Sequence, residues 1–498
     1  MTDNNKKFSS LFYNVVTYIG VMISITVASL EVFLFAIDFF DKGRNLYLGL
    51  ITYLILPGVL IFGLLLIPVG VLWKKSRIDR GLPVIELRRF RIDLSLPHHR
   101  NAILVFIIGT SLLILMSIIG AYKAFHYTES VQFCGVLCHE VMHPEYTAYL
   151  KSPHGRVKCV DCHIGAGADW YVHSKLSGAR QVVKILSHTF AKPIATPVHD
   201  LRPAEETCKQ CHWPGKFFGT MDFNRTYYPA AGEGAAPWRI RMLLNIGGGE
   251  NQAYGVHAHM NMDHDIYYAA EDDRRQKITW IKSVDKEGKE IVFVSPKSRW
   301  EDTLPPSEKI RKMDCIDCHN RPTHQYAAPY RLINEAMQFG HIDPTIPKIK
   351  EKATEALSKE YKTGQEAVNF IEKNMREYYK TKQADYYASH PERIEHAIQT
   401  VTGLFSKNIF PEMKTRWDTH PDNIGHLITP GCYRCHDGEH RSSAGRVISR
   451  DCKSCHLIVE QGPAGSIEKN IEGLEFRHPP GGEEWKEMNC TDCHTGGA

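Results

Sequence analysis

A chain of 498 residues has room for two or three domains. Its 60 basic and 56 acidic residues leave a formal charge of +4, which says little about partners; nucleic acid is not among those expected. With 14 cysteines and 26 histidines, thiol and imidazole chemistry is where function is to be sought.

Three apolar spans open the chain, at about 11–37, 45–73 and 101–122. Each reaches the roughly 20 residues that a bilayer-crossing helix needs. The first is too long for a cleaved leader and has no evident small-residue cleavage site. Glu31 lies in the first span and reads as sitting near its end, within reach of headgroups. Orientation follows from loop charge. Residues 74–100 carry eight positive side chains (Lys74, Lys75, Arg77, Arg80, Arg88, Arg89, Arg91, Arg100) against three acids. This predicts a cytoplasmic N-terminus and basic loop, with everything beyond about residue 122 on the outer side.

All 14 cysteines fall into paired motifs closed by histidine. In chain order these are Cys134, Cys138 and His139; Cys159, Cys162 and His163; Cys208, Cys211 and His212; Cys315, Cys318 and His319; Cys432, Cys435 and His436; Cys452, Cys455 and His456; and Cys490, Cys493 and His494. Six have two residues between the cysteines; the first has three. The pattern is the attachment signature of c-type haem: two thiols bond to the porphyrin edge, and the adjacent histidine ligates iron. A zinc ribbon has no reason to put a histidine after every second cysteine, and disulfides do not demand a repeated two-residue gap. Seven covalent haems c are therefore expected. The 19 histidines outside the motifs can supply second axial ligands, so no haem is forced to be an open catalytic site. Haem attachment also agrees with placing this part outside the cytoplasmic membrane of a bacterium.

Between the third and fourth motifs, TWIKSV, DKEGKE and IVFVSP read as a β-hairpin turning at Asp285 to Gly288. Beyond the fourth motif, KIKEKATEALSKEY and EAVNFIEKNMREYY space apolar residues as two or three amphipathic helices would. The last three motifs crowd into residues 432–494, where haems would supply most of the apolar interior. The expected fold is mainly α with little regular structure: three N-terminal transmembrane helices and a multihaem c-type cytochrome domain with a small β-hairpin insertion. The expected divisions are 1–100 (transmembrane hairpin and basic loop), 101–330 (third span and haems 1–4, with the insertion at 221–300) and 331–498 (helical linker and three-haem domain).

FCGVLCHEVMHPEY, SPHGRVKCVDCH, RPAEETCKQCHWP and CIDCHNRPTH together resemble the NapC/NirT-type membrane cytochromes over roughly 101–325. The whole layout is similar to the three-span, seven-haem inner-membrane members that serve respiration on extracellular acceptors. The resemblance implies oxidation of quinol, with menaquinol expected, at the outer face of the cytoplasmic membrane. Electrons would pass from the membrane quinol pool to periplasmic c-type cytochromes or to a reductase. It implies a quinol-site lysine at Lys175. The carboxylate it places a few positions further on falls at Gln181 and Val182, leaving Asp169, Glu140 or His143 for that part. It also implies an axial methionine after the first motif, where Met142 stands with His143 as the alternative; His324 as ligand to an earlier haem, taken as haem 2; and His154 before the second motif. Distal ligands for the remaining haems rank as His257 and His259, then His420, His426, His440 and His478. Two other readings remain, a haem-bearing anchor for a nitrite- or hydroxylamine-type reductase and a reductase in its own right. Assembly into a homo-oligomer is left open.

Overall fold

The computed structural model describes residues 11–40, 55–83, 95, 97–137, 139–164, 168–196, 203–213, 219–229, 236–247, 255–258, 264–479 and 481–497. Cys138 and His259, with the side chains of His139, Glu140 and Asp169, lie outside the described residues. The chain divides into two compact units, Met1–Leu137 and Cys138–Ala498.

In the first unit the apolar spans are α1 (Val15–Phe40), α2 (Leu56–Asp79) and α3 (Pro97–Thr128). All three are long and apolar enough to cross a membrane. Lipid offers no hydrophobic drive for helices to associate, so close approach at small residues must supply it. α1 and α2 do this at glycine: a Cβ added to Gly20 would stand 2.7 Å from the Gly63 carbonyl oxygen, and one added to Gly70 would stand 2.5 Å from Thr17 Oγ1. At one end of this pair Lys74 Nζ donates to the Tyr13 carbonyl at 3.0 Å. Leu113 of α3 packs against Val27 and Ala28 of α1 and Leu56 and Leu60 of α2. A π-helical turn, Phe133–Leu137, follows α3 and carries Cys134.

The second unit begins with α4 (His139–Lys151), α5 (Cys159–His163), α6 (Ala168–Leu186) and α7 (Ala204–Cys208). After the fourth motif, α8 (Cys315–Cys318), come α9 (Pro329–Gln338), α10 (Ile349–Ser358), α11 (Gly364–Lys382), α12 (Ala384–Ser389) and α13 (Pro391–Asn408). α9 to α13 form the main apolar core. Leu357, Ile371, Met375, Tyr379, Ile394 and Val401 are wholly buried there, at the spacing that puts one stripe of each helix inward. Thr363 caps α11 by accepting from the Glu366 amide at 3.1 Å.

The β content exceeds the single small hairpin expected from the sequence. That hairpin exists as β4 (Ile278–Asp285) and β5 (Glu290–Val294). Gly288, at φ +79°, takes the left-handed position of the turn. It belongs, however, to a five-stranded sheet, β6-β3-β4-β5-β7, with β3 (His264–Ala270), β6 (Ile310–Lys312) and β7 (Arg441–Ser442). A second, four-stranded sheet runs β1-β2-β8-β9, from Thr220–Tyr227, Trp238–Asn245, His456–Pro463 and Glu468–Leu474. In both sheets strands from 220–294 pair with strands beyond 440. The segment between the third and fourth motifs is thus hydrogen-bonded to the segment carrying the last three.

Candidate haem sites

Four of the motifs close on themselves in one tight turn. The amides of His212, His319, His436 and His494 donate to the carbonyl of the first cysteine of their own motif, at 2.8, 2.8, 3.0 and 2.8 Å. The two thiols and the imidazole are thereby gathered on one short arc, as attachment to a single porphyrin edge requires. In the fourth motif, Asp314 caps the turn by accepting from the Cys315 amide at 2.6 Å. Asp317, inside the motif's gap, is buried, and it accepts from Tyr268 Oη at 2.6 Å, Arg311 Nε at 3.0 Å and Arg275 Nη1 at 3.2 Å. Burial and the facing Asp317 carboxylate push the Tyr268 hydroxyl well above the ordinary tyrosine range.

Five motif histidines face a second histidine at nearly one distance. Ring centres are 6.0 Å apart for His212 and His154, 6.2 Å for His163 and His324, and 6.1 Å for His319 and His257. They are 6.3 Å apart for His456 and His426, and 6.0 Å for His494 and His478. A metal–imidazole bond is about 2 Å, and the ring centre lies about 1.1 Å behind the nitrogen. Two imidazoles on opposite faces of one iron are therefore roughly 6 Å apart between centres. The spacing fits a haem iron sandwiched by each pair.

Several of these rings are also held in the orientation ligation needs. His324 Nδ1 donates to the Glu145 carbonyl at 3.0 Å, His257 Nδ1 to the Ile246 carbonyl at 3.3 Å, and His436 Nδ1 to the Ser449 carbonyl at 2.8 Å. With the proton on Nδ1, Nε2 is the nitrogen that carries the metal-binding lone pair. Burial pushes His163, His257, His319, His324, His426, His456 and His494 below the ordinary histidine range. The shift favours the neutral imidazole, the form that binds metal. Among the described residues, no group of three or more His, Cys, Asp or Glu gathers as a structural zinc site would require.

His440 is placed otherwise. It is 1% exposed, its Nδ1 meets Asp437 Oδ1 at 2.9 Å, and its Nε2 meets the Ile278 carbonyl at 3.2 Å. With both nitrogens committed it has no lone pair for iron; it pins the fifth motif to β4. His420 has the opposite character. Its Nδ1 bonds Thr196 Oγ1 at 3.0 Å, its Nε2 is buried with no hydrogen-bond partner, and burial holds its pKa down to about 4. Met142 is half-buried on α4, and the ring of His143 lies 5.2 Å from that of Phe410. Lys175 lies half-buried on α6, beside exposed Leu176, Val183 and Leu186.

Consecutive motifs are neighbours in space through their thiols. Cys162 is close enough to Cys208 and Cys211 for their charges to interact, and Cys208 and Cys315 share a hydrogen bond. Cys318 is similarly close to Cys432 and Cys435, Cys455 to Cys432, and Cys490 to Cys452. Cys490 Sγ also lies 3.8 Å from His426 Nδ1, joining the seventh motif to the sixth. Motifs two to seven therefore form one connected file.

Residues 96–213 match the NapC/NirT cytochrome c family, N-terminal region. Over 500 aligned positions the chain is 38% identical to the cytochrome c-type protein ImcH of Geobacter sulfurreducens, covering 99% of this chain and 97% of that one. No solved structure matches.

Proposed function

Because the chain belongs to the NapC/NirT family of membrane-anchored multihaem c-type cytochromes, as a relative of ImcH, we propose that it is a seven-haem quinol dehydrogenase. In this reading it oxidises quinol, with menaquinol the expected form, at the outer face of the bacterial inner membrane and passes electrons to periplasmic cytochromes. The observation that carries the relay is the set of five histidine pairs at about 6 Å, strung on motifs whose thiols adjoin in sequence order.

When bound, haem supplies one-electron uptake and release at iron, with no proton. The chain's own residues must then do the rest. Thiols and imidazoles fix each site. His154, His257, His324, His426 and His478 supply the second imidazole, and His420 Nε2 is available to a further haem. Lys175 orients the quinol headgroup, in keeping with the apolar side chains its helix exposes for contact with lipid or quinol. The basic loop 74–100 stays on the cytoplasmic side. Electrons leave through the last motifs, where Cys452 and Cys493 are exposed.

Stopped-flow mixing of the purified full chain with a reduced menaquinol analogue, followed at the haem α-band, tests the proposal. Haem reduction within turnover time is expected. Haems that stay oxidised in quinol yet reduce in dithionite would refute it.

A further inference from the structure

Resting on the haem-attachment part of that reading alone, we propose that Arg434 is a built-in cation that raises the reduction potentials of the haems on the fourth and fifth motifs. Electrons are thereby biased toward the junction between the first four haems and the last three. Arg434 occupies the gap of the fifth motif, between Cys432 and Cys435. It is 8% exposed, where an arginine in a short gap would ordinarily reach into water.

Every nitrogen of its guanidinium is committed to a backbone carbonyl. Nε donates to Gly431 at 2.9 Å, Nη1 to Arg275 at 2.9 Å and Nη2 to Asp317 at 2.6 Å. Among the described residues no carboxylate pairs with it. Asp317, the acid beside it, turns its carboxylate to Arg275 and Arg311, at 3.2 and 3.0 Å, so it does not cancel the charge on Arg434. Buried charges are ordinarily paired, because leaving water is costly. This one is solvated by carbonyl dipoles and keeps its full field. Its mounting is rigid: Asn423 Nδ2 donates to the same Asp317 carbonyl at 3.0 Å, and the Cys432 amide to the Gly425 carbonyl at 3.0 Å.

The position bridges two motifs. Arg434 belongs to the fifth, and its bond to the Asp317 carbonyl lies inside the gap of the fourth. Its charge is close enough to act on both Cys318 and Cys435, the second thiols of the two motifs. Asp437 acts on Cys435 in the opposite sense, and less strongly. Those sulfurs mark the porphyrin edges that the two motifs hold. Taking one electron, without a proton, converts Fe(III) to Fe(II) and removes one positive charge, which a fixed cation favours. A full charge at about 10 Å, under an effective dielectric of about 20, changes such an equilibrium on the order of tenfold. Arginine keeps that charge at every working pH.

The test is optical spectroelectrochemistry of the full haem-loaded chain, reduced by dithionite and reoxidised by ferricyanide, so no quinol is involved. Arg434→Gln removes the charge and keeps an amide for the carbonyls; Arg434→Lys keeps the charge. Arg434→Gln is expected to lower the reduction equilibrium constant of two of seven haems at least tenfold, 59 mV for a one-electron centre, with the low-spin spectrum unchanged. Arg434→Lys is expected to stay within threefold of the wild type. A purely structural role would lower the thermal midpoint of both variants and leave the potentials in place. An Arg434→Gln curve superimposed on the wild type overturns the proposal, as does an Arg434→Lys curve that falls tenfold. Should Arg434→Gln not load seven haems, Arg434→Lys decides: a retained curve supports the charge, and a tenfold fall overturns it. A wild-type chain without haem on these two motifs overturns the haem reading as well. The expected shifts in a chain that ignores quinol would leave Arg434 its role and refute only the quinol donor.

Discussion

Asp317 ties the fourth haem motif to its surroundings. Its side chain is 1% exposed and faces two guanidiniums and a phenol. Removing one partner of a buried charge cluster strands the others, at a cost of about 3–5 kcal/mol. Asp317→Ala is therefore expected to lower the thermal unfolding midpoint sharply, read by loss of far-ultraviolet circular dichroism. Histidine roles diverge as clearly. His478→Ala should convert the haem of the seventh motif from low to high spin, seen in the optical spectrum. His440→Gln should leave every haem low-spin and lower stability by about 1–3 kcal/mol. The motif histidines were legible from spacing alone, because attachment is local. Their partners were not: His478 and His440 look alike in sequence, and only the fold decides that one faces His494 while the other spends both nitrogens on Asp437 and Ile278. His154 and His324 were reached through family resemblance, and the structure sets them opposite His212 and His163.

At the scale of elements, helices with a strong period were readable and sheets with distant partners were not. α10 and α11 emerge from KIKEKATEALSKEY and EAVNFIEKNMREYY, and Leu357 and Ile371 are wholly buried on their apolar stripes. Ile371→Ala should cost about 2–5 kcal/mol in stability while leaving haem reduction by dithionite unchanged, because no haem ligand lies on α11. β8 is the contrary case. HLIVEQGP follows directly on the sixth motif, in the stretch 432–494 where haems are expected to supply most of the apolar interior. It pairs instead with β2, more than two hundred positions earlier: Ile240 lies opposite Gln461, and Leu244 opposite His456. A strand whose partner is that far away leaves too little local signal, and the same holds for β7 on β5. These pairings fasten the late motifs to the middle of the chain. The adjacency of Cys318 with Cys432 follows from the same folding-back.

For the whole molecule, the account rests on a file of imidazole-ligated haems fed from a membrane. A pyridine haemochrome assay against protein concentration should give seven haems per chain. Replacing Cys490 and Cys493 together by alanine should give six and spare reduction of the others, since the seventh motif ends the file. Lys175→Ala should slow quinol-driven reduction at least tenfold without altering haem count, measured by stopped flow. The most direct measurement of the central claim is near-infrared magnetic circular dichroism of the oxidised full chain, which counts haems by axial ligand type. At least five haems per chain are expected to give the low-spin, bis-imidazole charge-transfer band. A chain whose bis-imidazole intensity amounts to fewer than five haems, or whose haems are mostly high-spin, would contradict it.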